Sequence, residues 1–161
     1  MKLLIAVLAA APLIAQTPST PTIKTTTETR HLRISTSAGA AEVARGGKLS
    51  LFAEVDPKPN MHVYAPGQPE YVAVSLTLDK DPAITAGTPK FPTPEKVFFQ
   101  PLKETQLVYS HLFRITQPVT ISRAHAEGTL TIKGTLRYQA CDDAVCYIPA
   151  TVPLAWSVKI K

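Results

Sequence analysis

The chain has 161 residues, with 17 Lys or Arg against 12 Asp or Glu and a formal charge of +5. The basic residues are scattered and not interleaved with aromatics, which argues against a nucleic-acid surface. Past the N-terminus no apolar stretch approaches the roughly 18 residues of a membrane span, so the mature chain is expected to be soluble.

Met1-Lys2 is a short positive start, and Leu3 to Ala15 gives 13 residues of nearly unbroken apolar character, ending in the small residue Ala15. That length fits the core of a secretory signal peptide and is too short to span a bilayer, so residues 1–15 are read as an export signal. Residues 16–29 are rich in Thr and Pro with few apolar side chains and read as a flexible leader. Residues 30–161 then form one domain, large enough for a single core.

Within that domain strict alternation dominates. Leu32 to Ile34 is a weak example, and Leu49 to Val55 a clear one. Val72, Val74, Leu76 and Leu78 share a face, and Leu107 to Ile115 keeps the same period of two. Leu130, Ile132, Leu136 and Tyr138 oppose Thr131, Lys133, Thr135 and Arg137, and Val152, Leu154, Trp156, Val158 and Ile160 form the last inward face. Each is a half-buried strand. The 15 prolines break up the segments between them, and past the N-terminus no window has a helical period. The expected fold is all-β, an immunoglobulin-like antiparallel β-sandwich. The inter-sheet disulfide of antibody domains is absent, because both cysteines lie in one local segment. Between Leu78 and Gln106 runs a long Pro-rich connection bearing Val97-Phe98-Phe99. Connections of this length are usually functional or disordered, and the Phe pair is expected to pack on something.

Chemistry points to Tyr138-Gln-Ala-Cys-Asp-Asp-Ala-Val-Cys-Tyr-Ile-Pro149. In an exported chain two cysteines default to a disulfide. With Asp142 to Val145 as a hairpin tip, Cys141 and Cys146 face each other at an α-carbon distance of roughly 4.5–5.5 Å, which a disulfide can bridge. Counting by two from Leu130 puts Cys141 on the face opposite the core, so the disulfide is expected on or near the surface, with a break near Ile148-Pro149. On the chain-entropy model so short a loop gains only about 2 kcal/mol, against nearly 5 for a loop of about 100 residues. An accessible disulfide can also exchange with an attacking thiolate. Redox exchange and a minor structural staple in a non-catalytic binding module both remain open from the residues alone. Asp142 and Asp143 would disfavour a neighbouring thiolate, which suits a carrier better than a self-starting nucleophile. His31, His62, His111 and His125 have no metal-type spacing with the cysteines, so no metal and no cofactor are expected.

The cysteine segment, with Thr151-Val-Pro-Leu154 after it, resembles the Tyr-Gln-x-Cys…Cys-x-x-Pro…Val-Pro-Leu ending of the N-terminal periplasmic domain of the thiol:disulfide interchange protein DsbD. Met61-His-Val-Tyr64 and Gln117-Pro-Val-Thr-Ile121 also resemble segments of that family, and the similarity runs from about Leu49 to Leu154. The resemblance implies an immunoglobulin-like fold and a redox-active pair, Cys141 and Cys146, with Cys146 forming mixed disulfides. It implies a cap over the pair from Phe98 or Phe99, with Tyr64 as the flanking aromatic. The implied partners are a thioredoxin-like domain of a membrane thiol reductase and other periplasmic thiol-disulfide proteins. In the family acidic residues adjoin the cap Phe. Here Lys96 and Val97 occupy that stretch and only Glu95 is near.

Overall fold

The computed structural model describes residues 22–100 and 103–161, so the expected signal segment and residues 16–21 of the leader lie outside the described residues. In chain order the strands are β1 (Thr25–Glu28), β2 (Leu32–Ala38), β3 (Glu42–Val43), β4 (Lys48–Pro57) and β5 (His62–Tyr64). They continue with β6 (Ser75–Leu78), β7 (Ile84–Ala86), β8 (Glu95–Phe99), β9 (Glu104–Tyr109) and β10 (Phe113–Ile121). β11 (Gly128–Tyr138), β12 (Ala140–Cys141) and β13 (Ala150–Ile160) complete the fold.

Two sheets face each other as the sandwich, one ordered β1-β2-β4-β10-β7 and the other β3-β13-β11-β6. A third sheet, β12-β5-β9-β8, carries both the cysteine segment and the aromatic segment of β5. Among the described strands all pair antiparallel except β3 with β13. The alternation of the sequence becomes the core directly. Leu49, Leu51, Ala53 and Val55 of β4 are buried against Ile132, Leu136, Val152, Leu154, Trp156 and Val158 of the opposite sheet. Gly134 occupies an inward position of β11, where a Cβ would lie 2.6 Å from the Thr77 carbonyl oxygen, so glycine is what lets β6 close on β11. Two polar ties cross between the sandwich sheets: the Trp156 indole N–H donates to the Phe52 carbonyl at 2.8 Å, and the Thr36 hydroxyl donates to the Ala155 carbonyl at 2.8 Å.

Three expectations change. The leader does not reach Thr29, since Thr25–Glu28 is β1, in register with Arg33 to Thr36 of β2. Its threonines lack apolar character but suit an edge strand, and Thr26 bonds Ser35 across the pair. Leu107 to Ile115 is not one strand. The chain turns at Ser110–Leu112 from the third sheet into the first, yet Tyr109 and Phe113 are both buried and stack at 4.1 Å across the corner. Tyr109 and Phe113 thus keep the core side on either flank of the turn while His111 within it is exposed, and the period of two conceals the corner. The long connection after Leu78 contains β7 and β8, and all five residues of β8 pair with β9.

Trp156→Phe removes the donor and leaves the Phe52 carbonyl buried without its cross-sheet partner, which costs about 1–3 kcal/mol. Urea unfolding should show that loss as a lowered midpoint. An unchanged midpoint would mean that the indole N–H contributes nothing to holding the sheets together.

Candidate functional site

The site is created where the chain changes sheets. β11 runs in the second sheet to Tyr138, Gln139 belongs to no ladder, and β12 then pairs with β5 in the third sheet. Gln139 locks the break on both sides: its Oε1 accepts from Val72 N at 3.1 Å and its Nε2 donates to the Tyr147 carbonyl at 3.2 Å. Parity survives the switch, because Ala140 joins the main core and Cys141 takes the opposite face. That face is not solvent, however. Cys141 is 1 % exposed and packs with Tyr64 and Val108, with Tyr71 against them. The expected surface disulfide is therefore corrected for one end only: Cys141 is buried, while Cys146 is exposed.

The disulfide joins Cys141 to Cys146 with a Cα–Cα distance of 4.0 Å, and the two residues face each other in an antiparallel bridge. The tip is held by Asp142. Its Oδ1 accepts from the Ala144 and Val145 amides at 2.8 Å each, and its Oδ2 accepts from the Tyr147 hydroxyl at 2.8 Å. These donors favour the ionised form and hold the carboxyl below its ordinary value, the Val145 and Ala144 amides first and Tyr147 after them. Asp142 thus turns back into its own loop. After Cys146 the chain leaves the ladder until β13 begins at Ala150, so the expected break near Ile148-Pro149 is present.

Register decides which side chains reach the sulfurs. Directly paired residues share a face, and β12 pairs Cys141 with His62. Two residues further along β5 is Tyr64, whose partner on β9 is Val108. Glu95 pairs with Val108, Val97 with Gln106 and Phe99 with Glu104, so these pairs continue the same face. Phe98 falls on the other parity and is 58 % exposed. A cavity of about 390 Å³ opens on the site face between Cys141 and Cys146 on one side and His62, Tyr64, Tyr71, Phe99 and Gln106 on the other. Another groove, of about 500 Å³ on the first sheet and lined by Lys48, Lys90 and Thr116 among others, holds none of the cysteine chemistry.

Of the residues singled out in the sequence, the structure brings Cys141, Cys146, Tyr64 and Phe99 together at this cavity. Glu95 stands further along β8, where Oε1 accepts from the Ser110 amide at 3.0 Å and lies 3.2 Å from His111 Nδ1. Burial pushes its carboxyl up, but the Ser110 amide and His111 outweigh that and leave it lowered.

Tyr64 is the group in direct contact with the disulfide: its hydroxyl oxygen lies 3.4 Å from each of the two sulfurs. Sulfurs in a disulfide carry no proton, so the hydroxyl is the donor. Burial, then Tyr71 and Glu104, push its pKa well up, which keeps the proton on the oxygen. The Tyr64 ring stacks on Tyr71 at 4.0 Å, and the Tyr71 hydroxyl donates to Glu104 Oε1 at 2.7 Å. Gln106 Nε2 donates to the same oxygen at 2.8 Å, and together Gln106 and Tyr71 keep Glu104 ionised. Sequence reasoning missed Tyr71, Glu104 and Gln106, because they reach the site through tertiary pairing and no local motif joins them. His62 could have been found, since it stands two residues before Tyr64 and therefore on the same face of a strand.

The family model for the N-terminal region of thiol:disulfide interchange protein DsbD matches residues 32–154, a span that includes β2, the aromatic segment, β8 and both cysteines. The chain belongs to this DsbD N-terminal family. Among solved structures it is similar to the N-terminal periplasmic domain of ScsB from Proteus mirabilis, at 15 % identity and a TM-score of 0.53. That match covers 80 % of this chain but 47 % of the ScsB domain, so the chain spans about half of its length. The DsbD N-terminal domain of Neisseria meningitidis in the reduced form matches at 23 % identity and a TM-score of 0.46, over 68 % of this chain and 78 % of that one. No curated protein matches the sequence. Among the described residues no helix is long and apolar enough to cross a membrane.

The Asp142 turn gives a direct test. In Asp142→Ala the Ala144 and Val145 amides lose their acceptor and should exchange with solvent roughly 10-fold faster. Asp143→Ala, which removes no such bond, should leave them unchanged. Because the Asp142 carboxyl is held below its ordinary value of 3.8, the protection is present above that pH and is lost only as pH falls through the lower folded-state value. Loss of protection already near neutral pH would contradict this assignment.

Proposed function

We propose that this protein is an exported thiol-disulfide carrier working in the periplasm. It takes two electrons from a thioredoxin-like domain of a membrane thiol reductase and passes them to other periplasmic thiol-disulfide proteins. The observation that carries this reading is the asymmetry of the disulfide, with an exposed Cys146, a buried Cys141 and a tyrosine hydroxyl in contact with both sulfurs. The apolar segment ending at Ala15 supports export.

Reduction begins with a donor thiolate attacking Cys146 Sγ, the sulfur that solvent can reach. The Cys141–Cys146 bond breaks, its electron pair moves onto Cys141 Sγ, and donor and Cys146 are left joined as a mixed disulfide. Charge develops on a sulfur shut away from water, and the Tyr64 hydroxyl is already in place to donate to it. The donor's second thiolate then attacks its own sulfur in the mixed disulfide, leaving the donor oxidised and this protein as a dithiol. Delivery to an acceptor runs through the same steps in reverse. On this reading Phe99, half-buried and lining the cavity, serves as the cap, while Phe98 lies on the other parity of the strand.

Cys141→Ala should trap a mixed disulfide through Cys146 with a thioredoxin-like protein, visible by non-reducing electrophoresis. Cys146→Ala should trap none. The pair should have a reduction potential between about −120 and −270 mV, the range of exchange proteins. A value below about −300 mV with no mixed disulfide would make the bond a structural staple and the domain a non-catalytic binding module.

A further inference from the structure

Cys141 poses a proton problem. As a disulfide it carries no proton, but as a thiol it must lose one before it can close on Cys146, because the thiolate is the nucleophile. The sulfur belongs to a residue 1 % exposed, so bulk water is not at hand to take that proton. A protein group must do so.

Most bases around the site are already engaged. Both oxygens of Asp142 accept hydrogen bonds from its own hairpin. Glu104 is shared by Tyr71 and Gln106, and Glu95 by the Ser110 amide and His111. Asp143 also lines the cavity, but from the exposed loop tip, and it is not the strand partner of Cys141. Tyr64 holds its proton and acts as a donor. His62 is different. It is the direct cross-strand partner of Cys141, lines the same cavity, and meets Tyr64 edge-on at 5.8 Å. Its Nε2 is buried and has no hydrogen-bond partner among the described residues. A buried imidazole nitrogen without a partner is costly, and such an atom calls for an explanation.

We propose that His62 is the proton acceptor for Cys141, taking the thiol proton as Cys141 closes on Cys146 and giving it up once the disulfide has formed. The inference rests on the carrier reading of the pair. In the closing step the Cys141 Sγ–H proton moves to the imidazole and the thiolate attacks Cys146 Sγ in the mixed disulfide. The Cys141–Cys146 bond forms, the bond from Cys146 to the partner sulfur breaks, and the partner leaves as a thiolate that takes its proton from water. The cysteine pair is oxidised and the partner reduced. Burial holds His62 below its ordinary value of 6.5, partly offset by Asp143, Asp142 and Glu95, so the ring is neutral and able to accept at neutral pH. With Tyr64, Tyr71 and the two cysteines of the same cavity, these are the titratable groups around it among the described residues.

The test uses the reduced protein and a small aromatic disulfide whose thiolate is coloured. Attack by Cys146 releases the first thiolate and closure by Cys141 releases the second, so the two steps are seen separately. In His62→Gln and His62→Phe the second phase should slow about 100-fold at neutral pH while the first stays within about threefold, and the deficit should shrink toward about pH 9, where the thiol ionises unaided. A second phase at the wild-type rate across that range in either variant would overturn the proposal. In the unmodified protein, NMR titration should give His62 a different midpoint in the dithiol and disulfide forms. Identical midpoints would also overturn it. A wild-type protein that releases no thiolate in either phase would sink the carrier reading itself, and this role with it.

Discussion

The change of sheet at Gln139 is the constraint on which the site depends. Up to Tyr138 the chain is an ordinary strand of the sandwich, fixed by an eleven-residue pairing of β11 with β13. One residue outside any ladder, held by side-chain bonds to Val72 and Tyr147, hands the next two residues to a different sheet. Without that hand-over Cys141 would lie on the outer surface of the second sheet, as counting by two requires. With it, the same parity delivers the sulfur to a face roofed by Tyr64, Val108 and Tyr71. Burial of one sulfur and exposure of the other follow, and so does any directional chemistry at the bond.

Around the sulfurs the polar groups are arranged so that few are left free. Asp142 closes on its hairpin, while Glu104 fixes Tyr71 and through it the stacked Tyr64. Asp142, which adjacency alone would set against the thiols, is therefore tied up in structure, while Asp143 stands at the exposed loop tip. This changes the expectation drawn from Asp142-Asp143 in the sequence, where like-charge disfavour is the natural reading. In space the hydroxyl that touches the sulfurs is a neutral donor, and the strand partner of Cys141 is an imidazole whose Nε2 has no partner among the described residues.

The edge strand β8 shows how pairing separates two residues that the sequence leaves equivalent. Phe98 and Phe99 are adjacent, and either serves equally well as a cap on paper. Pairing of Phe99 with Glu104 puts it on the face of Tyr64 and Cys141, and the period of two then turns Phe98 outward. Glu95, four residues before Phe99, keeps the same face but is drawn to Ser110 and His111 at the corner between β9 and β10.

By itself the sequence determined the all-β class, the inward faces of β4, β11 and β13, the cysteine hairpin and its pairing, and the family to which the chain belongs. These are local properties: alternation is set by the two-residue repeat of a strand, and a disulfide across a five-residue separation needs only a turn. The sheet to which a strand belongs is set by contacts between distant residues, and alternation carries no record of it. The corner at Ser110–Leu112, the strands within the Pro-rich connection and the burial of Cys141 were therefore decided only by the tertiary structure. So was the meeting of His62, Tyr64, Tyr71 and Glu104 at the disulfide, because it takes three neighbouring strands of the third sheet and the connection after β5 to put them there.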